Sequence, residues 1–463
     1  MKTNLLQSII FISLVSVIIS CSGNRGEYAD YLPAYDSLWP AVSATVQQSW
    51  DSTITSHPPL PKTYTSVAKG SGIMIYWDTY FINKGLLADG RDSLARNNVD
   101  DLMFWVDSIG YVPNSNFSSG FTRSQVPTLS LMVMDIYQNM KTPDTSWLHH
   151  AYLSLKKEYR FWTDTTASAI EDHSTDVSGL QRYSSHASEM DLLKMYTSVL
   201  TKRFTYPTNV PVPMMKKVAG SFMAEVESGM DFTPRFENRC SDFIPVDLNS
   251  YLYLYEMNFA QMVKELGLSG EPDWEKLAAS RKEKLNKYCW DAERGLYMDY
   301  DFKNKRFSKT AAVTAFVPLL AGIASDDQAK QTVDHLGLFE YEYGVVPCEK
   351  QDKDNIFQWD YPSVMPPLQL LTMDALLKYG YKEDAKRLAV KYLDMVAKNY
   401  LYPVPDNCKS QGEESMNQRE KGLLWEKYLA NGSINDNVYC AEQQMGWTAG
   451  VYEYASKLYD ELK

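Results

Sequence analysis

Residues 367–397 read PLQLLTMDALLKYGYKEDAKRLAVKYLDMVA, and this stretch decides the fold class. In its second half, Lys, Asp and Glu separate apolar residues that recur three or four positions apart: Ala385, Leu388, Ala389, Tyr392, Leu393, Val396 and Ala397. This spacing predicts an amphipathic helix. Residues 367–379 predict the preceding helix, and Gly380-Tyr381 predicts a short stop between the two. The stretch therefore predicts a helical hairpin.

Similar helical patterns recur from about residue 75 onward. We predict helices near 93–109, 126–140, 147–163, 187–203, 248–265, 274–288, 308–323, 413–430 and 441–461. Strand-like alternation is rare, and one short hairpin is predicted at 295–301. About a dozen helices with short loops indicate stacked helical hairpins, either closed into a ring or open as a solenoid. The lack of a fixed repeat disfavours the solenoid, and the lack of an interior Pro- or Gly-rich linker predicts one catalytic domain over 66–463.

The chain has 463 residues with 44% hydrophobic and 22% charged residues, which is typical of a globular protein that buries a sizeable core. Its formal net charge of -12 argues against a nucleic-acid-binding protein, which needs a basic face. Its 32 Tyr and 11 Trp residues suit the apolar faces of sugars, although aromatic rings also fill helical cores.

The first 20 residues predict an export signal. Lys2 precedes an apolar run, 9–19, that is too short to span a membrane comfortably. The run ends in Ile-Ile-Ser-Cys, which resembles a bacterial lipobox and implies cleavage before Cys21 and lipidation of its thiol. Residues 21–65 are then predicted to be a lipidated tether and an N-terminal arm. The alternative is an ordinary signal peptide with an incidental cysteine.

The remaining cysteines and the histidines do not predict a metal site. Five cysteines remain after Cys21, without CxxC spacing, and the chain has no HExxH pattern. One disulfide is compatible with an oxidising compartment, but the sequence does not select a pair. We predict neither a metal nor a cofactor, and we favour a monomer.

Several segments are polar and aromatic where helix packing requires neither property. The sharpest is 227–235, ESGMDFTPR, because Gly229 and Pro234 flank Asp231 and prevent a regular helix through it. Arg235 follows closely enough to order a loop carboxylate. The other segments are 76–80 (YWDTY), 112–114 with 123–125 (VPN and RSQ), 357–362 (FQWDYP), 425–428 (WEKY) and 442–447 (EQQMGW). A Trp face beside an Asp suits a sugar, although buried Trp residues beside helix-capping acids are a common structural alternative.

Taken in order, from residue 69 to about residue 455, these segments resemble the trehalases, glycoside hydrolase family 37. The QWDYP motif at 358–362 is close to a family signature. The segment at 227–235 resembles a trehalase motif in which Trp usually replaces Met230, and Met230 with Thr233-Pro234 is also similar to family 63 α-glucosidases. The resemblance implies an all-α (α/α)6 barrel of six helical hairpins and an inverting glycosidase mechanism.

The resemblance also implies residue roles. Asp231 corresponds to the general acid and Glu426 to the general base. The positions that match sugar-contacting residues or complete the predicted binding set are Trp77, Asp78, Asn114, Arg123, Gln125, Arg235, Gln358, Trp359, Asp360 and Glu442. Asp231 is expected to have a pKa raised by burial and nearby carboxylates, and Glu426 to stay ionised. Without the resemblance, Glu426 would be interpreted as a solvated helix acid paired with Lys427 or Lys421.

The chain departs from the family pattern at three substrate-contacting segments. Residues 70–73 read GSGI instead of Arg-Phe-x-Glu, residues 363–365 read SVM instead of Gly-Trp-Ala, and residues 184–189 lack arginine. The predicted substrate is a disaccharide, α,α-trehalose. One alternative is an α-glucosidase for another short α-glucoside, and another is a sugar-binding lipoprotein without catalysis.

Overall fold

A computed structural model describes residues 30–352, 357–401, 421–436 and 438–463. Cys21 and the predicted signal lie outside these residues. The α-helices are α1 Trp39–Thr53, α2 Tyr76–Ala88, α3 Asp92–Ile109, α4 Leu129–Asn139, α5 Thr145–Thr163, α6 Glu189–Lys194, α7 Thr201–Arg203, α8 Val212–Glu227, α9 Val246–Leu266, α10 Trp274–Tyr288, α11 Val317–Ala321, α12 Asp326–Asp334, α13 Pro366–Lys378, α14 Lys382–Leu401 and α15 Gly446–Glu461. Short 3-10 helices occupy Asp36–Leu38, Ser118–Thr122, Cys240–Asp242, Val313–Phe316 and Leu336–Leu338, and a π-helix occupies Met195–Leu200. Throughout this described part of the chain, every helix is too short or too polar to cross a bilayer.

The strands are two residues long and pair antiparallel. They are β1 Ile54–Thr55, β2 Tyr64–Thr65, β3 Phe243–Ile244, β4 Trp290–Asp291, β5 Leu296–Tyr297, β6 Tyr300–Asp301, β7 Arg306–Phe307, β8 Glu340–Tyr341, β9 Gly344–Val345, β10 Ser363–Val364 and β11 Tyr428–Leu429. The pairs are β1 with β2, β4 with β5, β3 and β7 with β6, β8 with β9, and β10 with β11. The predicted hairpin at 295–301 is wrong, because β5 pairs back with β4 whereas β6 pairs with β3 and β7.

Six helices form a closed inner ring. Around the ring, α2 packs on α4, α4 on α9, α9 on α11, α11 on α13, α13 on α15, and α15 on α2. The helices α3, α5, α10 and α14 pack outside this ring. The inner helices α2 and α13 are buried on almost every side, as expected of helices that are hydrophobic all round. The closed ring of hairpins is the predicted (α/α)6 barrel, and the open solenoid is excluded.

The ring closes by a backbone contact between α2 and α15. A Cβ atom added to Gly85 would lie 2.4 Å from the Cα of Gly450, and one added to Gly450 would lie 2.1 Å from the carbonyl oxygen of Phe81. Only glycine permits this approach. The first and last inner helices are thereby held together.

The N-terminal arm contains a helix that the sequence patterns did not predict. α1 packs against α14 and α15 and buries Trp39, Val42, Val46 and Trp50. The indole Nε1 of Trp39 donates to Asp394 at 2.9 Å, and the Ser43 hydroxyl donates to Glu453 at 2.6 Å. Pro40, at the start of α1, is compatible with a helix because the first turn needs no N–H donor.

Other helix predictions need correction. Residues 421–430 of the helix predicted at 413–430 are not helical, and its remainder lies outside the described residues. The helix predicted at 187–203 contains the π-helix Met195–Leu200 between α6 and α7, and that at 308–323 is reduced to a 3-10 turn and α11. The helices α2, α8 and α12 were not predicted as such.

Candidate active site

The beginnings of several inner helices converge on one aromatic-lined site. The rings of Trp77, in the first turn of α2, and Trp359, before α13, have centroids 5.8 Å apart. Trp447, at the start of α15, meets Trp359 edge-on at 6.1 Å. Gln125, which precedes α4, accepts the backbone N–H of Trp77 at 3.0 Å. Segments that lie far apart in the chain therefore form one wall.

Asp231 lies in the tight loop after α8, partly buried. Gly229 has φ +76, and a Cβ there would lie 2.5 Å from the Trp77 ring, so glycine is required on both counts. Thr233 is anchored to Glu225, which accepts its backbone N–H at 2.7 Å and its hydroxyl at 2.8 Å. The loop is thus fixed on both sides of the Asp231 carboxyl and against the aromatic wall.

The charges around Asp231 differ from those expected from sequence. Burial raises the pKa of Asp231, as predicted, but the neighbouring Arg203, Arg123 and Lys427 oppose that rise. The expected contribution of nearby carboxylates to the Asp231 pKa is not among its main causes. The Asp231 carboxyl is therefore partly buried, with three cationic side chains among its neighbours.

Glu426 lies at a bend between Trp425 and β11, not on a helix, and it is 5% exposed. One carboxylate oxygen accepts a hydrogen bond from the Tyr439 hydroxyl, and the other accepts the backbone N–H of Glu442 at 3.2 Å. The Trp447 indole donates to the Glu426 carbonyl oxygen at 2.8 Å. Burial raises the pKa of Glu426, whereas Lys427 and the Tyr439 hydrogen bond lower it. The interpretation as a solvated helix acid is therefore wrong.

Asp78 and Lys427 link the two carboxyls electrostatically. Burial raises the pKa of Asp78 well above its usual range, and the charges of Glu426 and Asp231 raise it further. Lys427 is buried with its ammonium 3.9 Å from Glu426, and burial lowers the pKa of Lys427 to about 8 against the effect of Glu426 and Asp231. Asp231, Glu426, Asp78 and Lys427 therefore share one site.

The Asn114 and Arg123 side chains lie beside this site. The Arg123 guanidinium is near Asp231 and donates to Asn114 at 3.4 Å. The backbone carbonyl of Asn114 accepts the N–H of Tyr76 at 3.1 Å, which joins this segment to α2. Gln358 donates to the Tyr439 hydroxyl at 2.8 Å. The predicted binding residues on these segments are therefore brought together with the carboxyls.

Three predicted binding residues are engaged elsewhere or face outward. Arg235 is fully buried, donates to Asp247 at 3.0 Å and lies 3.6 Å from Asp299. Asp360 is buried and accepts the N–H of Tyr361 at 2.7 Å, and burial raises its pKa to about 7. The Glu442 side chain is exposed, although its backbone N–H binds Glu426. In the described residues, the contacts of Arg235 are those of a structural ion pair.

Several buried polar atoms around the site have no hydrogen-bond partner within the described protein. They are Nε1 of Trp77, Oδ2 of Asp78, Nε of Arg123, Nε and Nη2 of Arg203, Nε1 of Trp359 and Nζ of Lys427. Buried polar groups are normally satisfied, so this cluster indicates a place for water or a polar ligand. Donors and acceptors that alternate with indole faces suit a polyhydroxylated ligand.

A second buried cluster, Glu171, His173 and Glu227, offers ligand atoms within 4.8 Å of one another. Glu227 accepts the backbone N–H groups of Ser124 at 3.2 Å and Ser184 at 2.9 Å. Burial lowers the pKa of His173, but the charges of Glu227 and Glu171 outweigh this effect and raise it. Burial and the charge of Glu227 also raise the pKa of Glu171. Through the hydrogen bond from Ser124 to Glu227, the cluster anchors the segment that carries Arg123.

Sequence reasoning missed Arg203 and Tyr439. Arg203, at the end of α7, interacts electrostatically with Asp231 and Tyr439. Its sequence context, Thr-Lys-Arg-Phe, carries no motif. Tyr439 stands three residues before Glu442, within the predicted C-terminal site region, and this proximity was the available signal.

The structure also gives the state of four cysteines. Cys440 is disulfide-bonded, whereas Cys240, Cys289 and Cys348 are buried free thiols.

Comparison with known proteins agrees with this geometry. The profile of the trehalase family matches residues 34–460. A cytosolic neutral trehalase of Kluyveromyces lactis is 33% identical over 365 residues, covering 70% of this chain and 47% of the relative. A cytosolic neutral trehalase of Saccharomyces cerevisiae is 31% identical over 363 residues, covering 70% of this chain and 48% of the relative. The chain spans about half the length of these curated relatives.

Solved structures show the same fold. The neutral trehalase of Saccharomyces cerevisiae superposes with a TM-score of 0.69 at 24% identity, covering 91% of this chain and 80% of that one. The GH63 mannosylglycerate hydrolase of Thermus thermophilus, in complex with glucose, superposes with a TM-score of 0.59 at 13% identity, covering 90% of this chain and 99% of that one. The family match over nearly all the described residues, on a closed six-hairpin barrel, shows that this chain belongs to the trehalase family.

Proposed function

We propose that this protein hydrolyses α,α-trehalose to two glucose molecules with inversion at the attacked carbon. Asp231 is the general acid and Glu426 is the general base. The main support for this proposal is that both carboxyls interact electrostatically with Asp78 and with Lys427, so that all four groups lie in one aromatic-lined site. Family membership supports the same reaction, and the names of the relatives supply the substrate.

In the proposed reaction, a water molecule attacks the anomeric carbon of one glucose. Glu426 accepts a proton from that water while the new carbon–oxygen bond forms. The bond from the anomeric carbon to the glycosidic oxygen breaks, and Asp231 donates its proton to that oxygen. Inverting glycosidases hold their carboxyls about 6.5–9.5 Å apart to accommodate the water. The raised pKa of Asp231 keeps its proton available, and the hydrogen bonds to Glu426 favour its ionised form.

The side chains around the carboxyls would bind the sugar in the subsite where the bond is attacked. Trp77 and Trp359 would stack on its apolar faces, and their unpaired indole N–H groups would donate to hydroxyls. Asp78, with an unpaired Oδ2, would accept from a hydroxyl. Asn114 and Arg123 would hold further hydroxyls. Gln125 would act indirectly, because its side chain already fixes the start of α2.

Three other predicted residues are assigned supporting roles. Gln358 would orient Tyr439, Asp360 would shape the turn before α13, and Arg235 would hold the loop that follows Asp231 through its buried ion pair. The Glu442 side chain would contact ligand only if the sugar reached the exposed rim, since it is the backbone N–H of Glu442 that binds Glu426.

The test is incubation with trehalose, followed by proton NMR of the initial products. Inversion should give equal amounts of α- and β-glucose, because only the attacked carbon changes configuration. Retention would give α-glucose alone and would remove Glu426 as a base. The turnover number of the Asp231→Asn variant should fall by a factor of about 10²–10⁴, since general acid catalysis contributes that much. Its melting temperature should stay unchanged. Near-normal turnover in that variant would end the assignment.

A second candidate substrate is another short α-glucoside. The departures at 70–73, 184–189 and 363–365 favour it, because these segments differ from the trehalase pattern while both carboxyls are kept. Glucose release from kojibiose, nigerose and maltose, measured beside trehalose, separates the two substrates. A sugar-binding protein without catalysis would bind a disaccharide in calorimetry but release no glucose from any of the four.

We further propose export and lipid anchoring through Cys21, on the periplasmic side of a bacterial membrane. The apolar run at 9–19 and the Ser20-Cys21 junction support this. The disulfide at Cys440 is also typical of an oxidising compartment. Mass spectrometry of the mature N-terminal peptide tests it: a diacylglyceryl group on Cys21 is expected, and a retained residue 1 or an unmodified thiol would refute it.

A further inference from the structure

We propose that Arg203 binds the leaving-group sugar of the substrate beside Asp231. This inference rests on the proposed hydrolysis and deepens it, because it assigns the second sugar subsite to a residue outside the barrel helices. Arg203 is the last residue of the segment formed by α6, the π-helix and α7, residues 189–203, which we name the α6–α7 segment.

The α6–α7 segment is held over the Asp231 loop by an apolar cluster of its own. Tyr196, Leu200 and Phe204 are buried together with Phe222 of α8 and Phe232. The Phe204 and Phe232 rings have centroids 5.6 Å apart, and those of Phe222 and Phe232 are 5.0 Å apart. Because Phe232 directly follows Asp231, this cluster fixes the segment against the loop that carries the acid.

Arg203 lies in this contact without an ion-pair partner among the described residues. Its guanidinium lies 5.1 Å from the Phe204 ring centroid and 5.5 Å from that of Phe232. Burial lowers the pKa of Arg203, whereas Asp231, Tyr439 and Glu225 raise it by their charges. Its Nε and Nη2 atoms are buried and make no hydrogen bond within the described protein. Buried polar groups are normally hydrogen-bonded, so a stacked guanidinium with two unpaired nitrogens can bind a ligand that has two adjacent acceptors.

The exposed fractions of the side chains around the site indicate which sugar of the substrate Arg203 would contact. Trp77, Asp78 and Trp359 are 2%, 3% and 1% exposed, so they form the floor of the site. The Arg203 side chain is only partly buried as a whole, and Tyr439 beside it is 41% exposed. Arg203 therefore lies nearer the mouth than the floor residues. The sugar attacked between Asp231 and Glu426 occupies the floor, so the group that departs lies toward Arg203.

A vicinal pair of hydroxyls on the leaving sugar fits this guanidinium. Two parallel N–H donors from Nε and Nη2 match two neighbouring oxygens, as planar guanidinium groups do with bidentate acceptors. Lysine would retain the charge near Asp231 but lose the fork. The contact is therefore specific to arginine and to substrates with a sugar as leaving group.

The test compares trehalose with α-glucosyl fluoride, which has no leaving sugar and needs no protonation of a glycosidic oxygen. Arg203→Met should lower kcat/KM for trehalose by about 10- to 100-fold, the range expected for hydrogen bonds to a charged group. Hydrolysis of the fluoride should stay within about threefold of wild type. Arg203→Lys should remain closer to Arg203→Met than to wild type. Lys202→Ala, an exposed change in the same segment, is the matched control and should leave both substrates unaffected.

Two results would overturn the inference. Equal losses on both substrates would indicate that Arg203 only supports the fold, and thermal melting of each variant would locate that defect. An unchanged maximal kcat/KM for trehalose, with the alkaline limb of its pH profile displaced, would indicate that Arg203 only adjusts the pKa of Asp231. Failure of the proposed function is distinguishable, because the wild-type protein itself would then not hydrolyse trehalose.

Discussion

Asp231 and Glu426 carry the same functional group in opposite surroundings. Asp231 stands in a loop that glycine and a threonine–glutamate pair hold in place, and within the described residues no other side chain donates a hydrogen bond to its carboxyl. Glu426 accepts hydrogen bonds from Tyr439 and from the backbone of Glu442 on its two oxygens. The Asp231 carboxyl accepts a hydrogen bond from its own backbone N–H, whereas Glu426 accepts hydrogen bonds from other residues on both oxygens.

The two surroundings explain how one site can hold both a proton donor and a proton acceptor. Burial raises the pKa of both groups, so burial alone does not distinguish acid from base. Hydrogen bonds donated to a carboxylate favour its ionised form, whereas a carboxyl with fewer such donors gives its proton more readily to a substrate oxygen. The distinction therefore comes from local donors. Three experiments test it, in order of expected effect.

The largest effect should come from removing each carboxyl and changing the leaving group. Glu426→Gln should lose about 10²–10⁴-fold in kcat on trehalose and on α-glucosyl fluoride alike, because both reactions need an activated water. Asp231→Asn should lose as much on trehalose but recover to within about tenfold of wild type on the fluoride, which departs without protonation. Initial-rate kinetics of both variants on both substrates measure this. Recovery of Glu426→Gln, in place of Asp231→Asn, would reverse the two assignments.

An intermediate effect should come from disturbing the Asp231 loop without touching its charge. In Gly229→Ala, the new Cβ would meet the Trp77 ring at 2.5 Å and occupy an unfavourable φ of +76. A displacement of about 1 Å at a reacting group can reduce turnover about 100-fold, and we expect a loss of that order. Gly267→Ala is the matched control: it has φ +63 at the end of α9 and nothing within 4 Å of its Cβ.

Both glycine variants should lose about 1 kcal/mol of unfolding free energy from backbone strain. Only Gly229→Ala should lose activity, and denaturant unfolding with kinetics separates the two. Equal activity in the two variants would mean that the Trp77 contact does not position Asp231.

The smallest effect should come from removing a donor to the base. The Tyr439 hydrogen bond lowers the pKa of Glu426, so Tyr439→Phe should raise that pKa. Because the base acts in its ionised form, the acidic limb of kcat/KM should move to higher pH. At acidic pH, activity should fall about tenfold, as expected for one charged hydrogen bond, with little change above neutrality. A profile that drops equally at every pH would show that Tyr439 serves only the fold.

Local patterns were sufficient for much of the barrel. α14 was predicted from its apolar spacing, and α10 matches the prediction at both ends, Trp274 and Tyr288. α1 was missed because the polar composition of the N-terminal stretch and its prolines Pro58, Pro59 and Pro61 suggested a tether. The apolar stripe of α1 is recognisable only against α14 and α15. The helix predicted at 413–430 was wrong around Glu426, where a bend at Glu426 and the pairing of β11 with β10 replace the helix.

Some residues of the candidate site were likewise predictable from local motifs, and others were not. The motifs at 227–235, 358–362 and 425–428 led to both carboxyls and to the aromatic wall, because their residue types reflect chemistry. Arg203 and Tyr439 had no such signal, since an arginine after a helix and a tyrosine beside a cysteine are ordinary sequence. Arg235 was expected to bind substrate, but its guanidinium is paired with Asp247, twelve residues onward and on another element.

By itself, the sequence determined helices such as α10 and α14, since apolar period, glycine and proline act over a few neighbouring residues. Its motifs also singled out Asp231 and Glu426 as the candidate acid and base. Only the tertiary structure places Asp231 and Glu426 in one site, brings the Tyr439 hydroxyl to Glu426, and brings Arg203 close to Asp231. Those outcomes depend on burial and on charges brought together from distant segments, which no local pattern records.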